Sequence, residues 1–308
     1  MTDNRKTRYI PNVSFHQIGG IKSVINKIRE VIELPLKHPD LFKHIGIKPH
    51  KGILLYGPPG NGKTMIAKAI ANEVKAHFIP ISGPELLSKM HGESEANLRK
   101  VFSEARDMEP AIIFFDEIDA IAQKRSFGEN GRLDSKFVNQ LLTLMDGFEA
   151  YENVTILAST NRPELLDPAL MRPGRFDYKL EINNPDEDGC FDIFCIASRN
   201  MPIEEGFDRA QFSTRLHGLS GAEITFVAQE AGYNALRRSF DLEAVIKADD
   251  DEVLEFADLK VESTDFESAL SKALEIHGKN QPEQETEMVE IVDGLIQMNK
   301  PVKENSPA

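Results

Sequence analysis

No stretch of this chain approaches the ~20 consecutive apolar residues that a membrane-spanning helix requires. No basic then apolar leader resembling a signal peptide stands at its start. The expectation that follows is a cytoplasmic protein without a transmembrane segment. Cysteine is scarce: only Cys190 and Cys195 occur in 308 residues. Two cannot build a disulfide framework or a metal cluster, and on one expected helix they read as small apolar fillers. Bases are in short supply as well, with 36 Lys and Arg against 50 Asp and Glu, for a net charge of −14. The imbalance lies at one end. Residues 241–308 hold 18 of the acids and 6 of the bases, which leaves 32 and 30 in residues 1–240. An acidic chain without a basic stripe argues against nucleic acid as the main partner. There is no internal repeat, so one functional module is expected.

What the chain does contain is Gly57-Pro58-Pro59-Gly60-Asn61-Gly62-Lys63-Thr64, directly after the apolar run Ile53-Leu54-Leu55-Tyr56. A strand, a glycine-rich turn and then an amphipathic segment from Met65 to Val74 make up the phosphate-binding loop pattern in its proper context. Glycine lets backbone N–H groups converge on phosphate oxygens that a side chain would block. The helix that starts there turns its positive end to the anion. Pro59, Gly60, Asn61, Gly62 and Met65 would line the loop. Lys63 would reach the β- and γ-phosphates, and the Thr64 hydroxyl would ligate Mg²⁺.

A second run, Ala111-Ile112-Ile113-Phe114-Phe115-Asp116-Glu117, reads as a central strand buried on both faces. Two carboxylates at its end are expensive unless something uses them. Asp116 is expected in the Mg²⁺ shell, with Glu117 orienting and activating the attacking water. Loop and acidic strand together predict hydrolysis of ATP, with ATP and Mg²⁺ as cofactors.

Strands are predicted near 53–56, 77–82, 111–116, 153–159 and 178–182, with helical patterns between the first four. Another helical pattern runs from Ile21 to Leu36. This is an α/β fold: a doubly wound parallel sheet of the P-loop NTPase kind, with ligands at the carboxyl ends of its strands. After Asn184-Pro185 helical periodicity takes over, at 187–199, 208–216, 221–238 and 264–275, predicting a small all-helical lid domain. The expected layout is a flexible N-terminal arm (1–13), a nucleotide-binding α/β domain (14–185), a helical lid (186–277) and an acidic linker and tail (278–308). In the tail Met288, Ile291, Val292, Leu295 and Ile296 share one helical face, so it is either a frayed end or a short docking helix.

With these elements in place the chain resembles the AAA family (ATPases associated with diverse activities), and within it the first ATPase domain of the valosin-containing-protein branch. The likeness runs from about Val13 to Leu274. It is carried by Ile18-Gly19-Gly20, Glu33-Leu34-Pro35-Leu36, the phosphate loop, Gly92-Glu93-Ser94-Glu95 and Leu144-Met145-Asp146-Gly147-Phe148. Thr160-Asn161-Arg162-Pro163 through Arg175-Phe176-Asp177, and Gly221-Ala222-Glu223, complete the set.

The resemblance implies a role for each matching residue. Asn161 would be the polar sensor between γ-phosphate and water. Arg172 and Arg175 would be arginine fingers entering a neighbouring subunit's site, where a guanidinium neutralises charge spreading over the γ-phosphate. A homo-oligomer, a hexameric ring, would then be required. Ile18, Gly19, His217, Gly221 and Ala222 would pack around the nucleotide. Lys89, Met90 and His91 fall where the family's pore loop lies. Many threading members carry an aromatic after the lysine, which grips a peptide through its apolar faces. Met90 is apolar but adaptable and would grip less firmly.

No His-Glu-x-x-His is present, which excludes the family's metalloproteases, and the chain ends Asn305-Ser306-Pro307-Ala308 without the hydrophobic-Tyr-X ending of proteasomal ATPases. Two readings follow: a ring ATPase that remodels protein substrates, chosen directly or through an adaptor, or an ATP-dependent assembly switch in which the ring is a scaffold. A DNA-directed motor is disfavoured by charge.

Overall fold

Two of the five apolar runs, Ile53–Leu55 and Ala111–Phe115, send alternate side chains to opposite faces of one sheet. The computed structural model describes residues 7–88, 94–123, 130–147, 153–243 and 258–280. The strands are β1 Gly52–Tyr56, β2 His77–Ser82, β3 Ala111–Asp116, β4 Val154–Thr160 and β5 Phe176–Glu181. They pair in the order β2-β3-β4-β1-β5, every pair parallel. Each of the five predicted strands is present within two residues of its expected bounds.

A parallel sheet must be covered on both faces, which explains the unbroken hydrophobic strands. Ile53, Leu55, Ile112 and Phe114 enter one core, Leu54, Ile113 and Phe115 the other. The first core is closed by α1 (Lys22–Ile28), α2 (Leu34–Lys37) and α4 (Lys63–Glu73), through Ile28, Leu36, Ile66 and Ile70. The second is closed by α6 (Ser94–Asp107) and α7 (Asn130–Gly147), through Leu98, Phe102, Leu141 and Met145. Two short helices, α3 (Pro39–Ile45) and α5 (Gly83–Ser88), were not anticipated.

The helix expected over 21–36 is widened in its middle. Residues Arg29–Glu33 form a π-turn, with the Leu34 N–H reaching back to the Arg29 carbonyl. Pro35 follows. It has no N–H and its ring crowds the preceding turn of an α-helix, and a wider turn relieves that crowding.

Register sets the site. Tyr56 lies opposite Thr160, and Phe115 opposite Ala158. The loop after β1, the acids ending β3 and the polar residues ending β4 therefore emerge together. At the β2 edge the Phe78 N–H donates to the Tyr9 carbonyl (2.9 Å), and on α4 the Asn72 amide donates to the Val13 carbonyl (2.9 Å).

After β5 come α8 (Glu187–Ala197), α9 (Arg209–Thr214), α10 (Gly221–Ser239) and α11 (Ser263–Asn280). The chain forms two compact units, Met1–Arg199 with Asp208–Thr225, and Asn200–Phe207 with Phe226–Ala308. Within the second, Phe207 stacks on Phe266 at 4.6 Å, and Glu230 accepts from Arg237 (2.8 Å) and Lys272 (2.7 Å). Those two cations hold the Glu230 carboxyl below the usual carboxylate range. Among the described residues no helix is long and apolar enough to cross a membrane.

Candidate active site at the carboxyl ends of the sheet

The glycine-rich turn after β1 takes backbone conformations that its glycines permit. Gly57, Gly60 and Gly62 have φ of 137°, 79° and 72°, a region that strains a residue bearing a Cβ. At Gly57 an added Cβ would also collide with the Ile182 carbonyl. Gly62 precedes the first turn of α4, so Lys63 and Thr64 open that helix. The Lys63 ammonium folds back and donates to the carbonyls of Gly57 (2.9 Å) and Pro58 (2.7 Å). Burial pushes its pKa below the usual lysine value, opposed by the negative charges of Asp116 and Asp119. It is a buried cation held at the loop.

Asp116 joins three elements. Its Oδ2 accepts from the Thr64 hydroxyl on α4 (2.8 Å), and its Oδ1 from the Ser159 hydroxyl on β4 (2.5 Å). The Ser159 oxygen also accepts the Glu117 N–H (3.2 Å). Thr160 donates to Asp119 (2.7 Å) and accepts the Arg162 N–H (2.9 Å), which secures the turn that carries Asn161. Asn161 itself is exposed.

Glu117 is also exposed, and its backbone is left-handed (φ 53°, ψ 50°). A non-glycine residue rarely adopts that conformation without surrounding structure to hold it. The hold here includes the Ser159 bond, an Ala120 N–H donated to the Glu117 carbonyl (3.0 Å), and Gly83, where a Cβ would collide with that carbonyl. The bend lifts the Glu117 carboxylate out of the strand toward solvent.

The start of α10 closes over the loop. Ser220 and Glu223 form a reciprocal capping arrangement: the Ser220 N–H donates to Glu223 (2.7 Å), and the Glu223 N–H to the Ser220 hydroxyl (3.4 Å). The remaining first-turn donors point at the phosphate loop, Gly221 N–H to Asn61 Oδ1 (3.1 Å) and Ala222 N–H to the Gly60 carbonyl (2.9 Å). A Cβ on Gly19 would stand 2.6 Å from the Ile193 nitrogen, and one on Gly221 would stand 3.5 Å from Ile193 Cδ1. Ile193 of α8 therefore brings Gly19 and Gly221 together. Ile18 is half-buried beside them in sequence, while Pro59 and His217 are exposed and Met65 is 43% exposed.

Arg172 and Arg175 are not at this end. They precede β5, whose first residue pairs with Gly52, the first residue of β1. Since parallel strands run together, the arginines lie at the amino edge of the sheet. Five residues of strand, roughly 16 Å at ~3.3 Å each, separate them from the loop. Arg172 is exposed; Arg175 donates to both Asp146 oxygens and to the Ala169 carbonyl (2.8 Å each). Lys89, Met90, His91 and the 288–298 tail lie outside the described residues.

Sequence reasoning did not single out Ser159, Asp119, Asn184 or Ile193. Ser159 and Asp119 carried a signal, a polar residue closing an apolar strand and an acid two residues past Glu117. Asn184 reaches the loop, and Ile193 reaches Gly19 and Gly221, only through the fold.

The family model for the "ATPase family associated with various cellular activities (AAA)" matches residues 53–184, and that for the "AAA+ lid domain" matches residues 206–253. The chain is an AAA ATPase domain with an AAA lid. Similar proteins carry the same region. The Cell division cycle protein 48 homolog of Archaeoglobus fulgidus is 51% identical over 263 residues, covering 85% of this chain and 36% of that protein. Protein SAV of Sulfolobus acidocaldarius is 47% identical over 262 residues, covering 84% and 33%. The chain thus spans about a third of the length of these relatives. ATP hydrolysis is the chemistry of the AAA domain, and the P-loop core and helical lid match the fold class that periodicity and motifs predicted.

The donor set fits magnesium. Mg²⁺ takes oxygen ligands, usually one or two protein groups beside phosphates and waters. Thr64 and Asp116 present a hydroxyl and a carboxylate 2.8 Å apart from two rigid elements. Among the described residues there is no cluster of three or more His, Cys, Asp and Glu that would hold a different metal.

Proposed function

We propose that this AAA domain works as a ring-forming, Mg²⁺-dependent ATPase that couples hydrolysis to remodelling or unfolding of protein substrates, and that the ring is a hexamer. The observation that carries the shared-site reading is the position of Arg172. It is exposed, yet lies at the opposite edge of the sheet from its own phosphate loop. An arginine side chain does not bridge that distance. A second copy offering its phosphate loop to Arg172 does.

In the proposed site the loop amides and Lys63 bind the phosphates, and Thr64 and Asp116 hold Mg²⁺, whose charge offsets that of the β- and γ-phosphates. Glu117 takes a proton from a water positioned with Asn161. The water oxygen bonds to the γ-phosphorus as the bond from γ-phosphorus to the β–γ bridging oxygen breaks, giving ADP and phosphate. Arg172 from the neighbour neutralises the charge that builds on the γ-phosphate, an effect on the order of 10³-fold. Arg175 is proposed as a second finger that must first leave Asp146. Ile18, Gly19, Ile193, His217, Gly221 and Ala222 would surround the rest of the nucleotide.

The test is steady-state ATPase activity per subunit against protein concentration, with light scattering on the same samples. Activity that rises with concentration alongside a ring-sized particle supports the reading. Constant activity from a monomer removes the trans-acting arginine, and the motor with it. The second reading, an assembly switch, is favoured by the non-aromatic Met90. Turnover that is stimulated by an unfolded polypeptide and reduced by Met90→Ala would decide against it.

A further inference from the structure

Asn61 is the one residue of the phosphate loop that uses both ends of its side chain on the protein. Its Oδ1 accepts the Gly221 N–H at the start of α10 (3.1 Å), and its Nδ2 donates to Asn184 Oδ1 (2.8 Å), with a longer approach to the Pro58 carbonyl (3.4 Å). Asn184 follows β5, and its own Nδ2 donates to the Gly218 carbonyl (3.1 Å) in the turn between α9 and α10. Gly218 has φ of 93°, so the turn has a fixed left-handed corner at the point where Asn184 holds it. Loop, β5–α8 connection and α9–α10 turn are thereby tied in a closed circuit of hydrogen bonds, beside the direct bond from Ala222 to Gly60.

A helix start leaves four N–H groups without partners inside the helix. In α10, Ser220 satisfies Glu223, and the loop satisfies Gly221 and Ala222. The loop therefore shares the capping of α10 with Ser220, and Asn61 supplies the acceptor for its first N–H. An isosteric aliphatic side chain at 61 would orphan the Gly221 donor and remove the donor to Asn184 Oδ1 together. Asn184 has no hydrogen bond to Lys63, Thr64, Asp116 or Glu117, so an effect of its loss on nucleotide would arrive through the circuit.

We infer that Asn61 and Asn184 form a clasp that holds the α9–α10 turn over the phosphate loop and sets how fast bound ADP leaves. Both are positioning residues. The inference rests on the proposed nucleotide site. Nucleotide held beside the joined loop and segment 217–222 departs when the circuit opens. Each hydrogen bond contributes modestly, so losing the two made by Asn61, or the two made by Asn184, should speed release about tenfold.

The experiment is stopped-flow displacement of a fluorescent ADP analogue from the full chain by excess ADP, for the unsubstituted protein, Asn61→Ala, Asn184→Ala and the double variant. Release about tenfold faster in each single variant, with the double no faster than the faster single, supports the clasp. Asn184→Asp retains the acceptor for Asn61 but loses the donor to Gly218, and should fall between. Asn184 is exposed, so these substitutions at 184 should leave the thermal midpoint in place, separating release from general loosening. Release within twofold of the unsubstituted protein in Asn184→Ala, or rates that multiply in the double variant, overturns the clasp alone. An unsubstituted protein that binds no analogue overturns the nucleotide site, and the clasp falls with it.

Discussion

Arg175 grips Asp146 through two parallel hydrogen bonds, Nε to Oδ1 and the terminal nitrogen to Oδ2, each 2.8 Å. The fork geometry is the strong form of an arginine–carboxylate pair. The remaining terminal nitrogen takes the Ala169 carbonyl, and the Arg175 N–H takes the Arg172 carbonyl (3.1 Å). The guanidinium thus braces the turn that displays Arg172. Two arginines three residues apart in sequence stand in different situations, one bound and one exposed.

Arg172→Ala should leave the thermal midpoint unchanged, retain ATP binding and lower turnover by about 10³-fold. Arg175→Ala and Asp146→Ala should each lower stability by about 1 kcal/mol, since the pair is half open to water, and their effects should not add. Thermal melts and turnover on the three single variants and the 146/175 double check this.

The Asp146 carboxyl is held below its ordinary value of 3.8 by its bonds to Arg175. A carboxyl whose pKa is depressed on folding contributes stability that is present above the unfolded value and lost as pH falls through the folded one. The melting curves of the unsubstituted protein and Asp146→Asn should therefore differ near neutrality, begin to converge as pH falls below about 4, the unfolded value, and meet only where the folded carboxyl protonates, lower still.

Ser159→Ala removes the donor to Asp116 and the acceptor of the Glu117 N–H together. ATP binding should survive, turnover should fall about tenfold, and the Mg²⁺ concentration for half-maximal activity should rise, because Asp116 keeps only Thr64. A magnesium titration of activity reads this directly. Glu117→Gln, by contrast, should bind ATP and Mg²⁺ normally and turn over at least 10²-fold more slowly.

Gly83→Ala puts a methyl group against the Glu117 carbonyl, where the backbone is already left-handed. Turnover should fall more than the thermal midpoint would suggest, while Lys63→Ala should abolish binding outright. Measuring nucleotide affinity and turnover on both variants separates displacement of the water-activating end from loss of the phosphate cradle.

Much was legible from local chemistry. Gly57–Thr64 stands out because the proposed phosphate cradle would need glycines at fixed offsets, a lysine and a hydroxyl, all contiguous. Ala111–Glu117 does so because a strand buried on both faces cannot hide its acids. Hydrophobic period and length located all five strands. The π-turn at Arg29–Glu33 and the short helices α3 and α5 escaped, since each answers to a neighbouring proline or to packing rather than to a period of its own.

By itself, then, the sequence determined the class of fold and marked the domain as an ATPase, because each strand, the glycine-rich loop and the acidic strand end are contiguous in the chain. Only the tertiary structure decided the partnerships across long separations. Ser159 meets Asp116 over 43 residues, Asn184 meets Asn61 over 123, and Gly221 meets Asn61 over 160. Strand order and register create those meetings, and no local pattern encodes them. The same register sends Arg172 to the far edge of the sheet, where its own phosphate loop is out of reach.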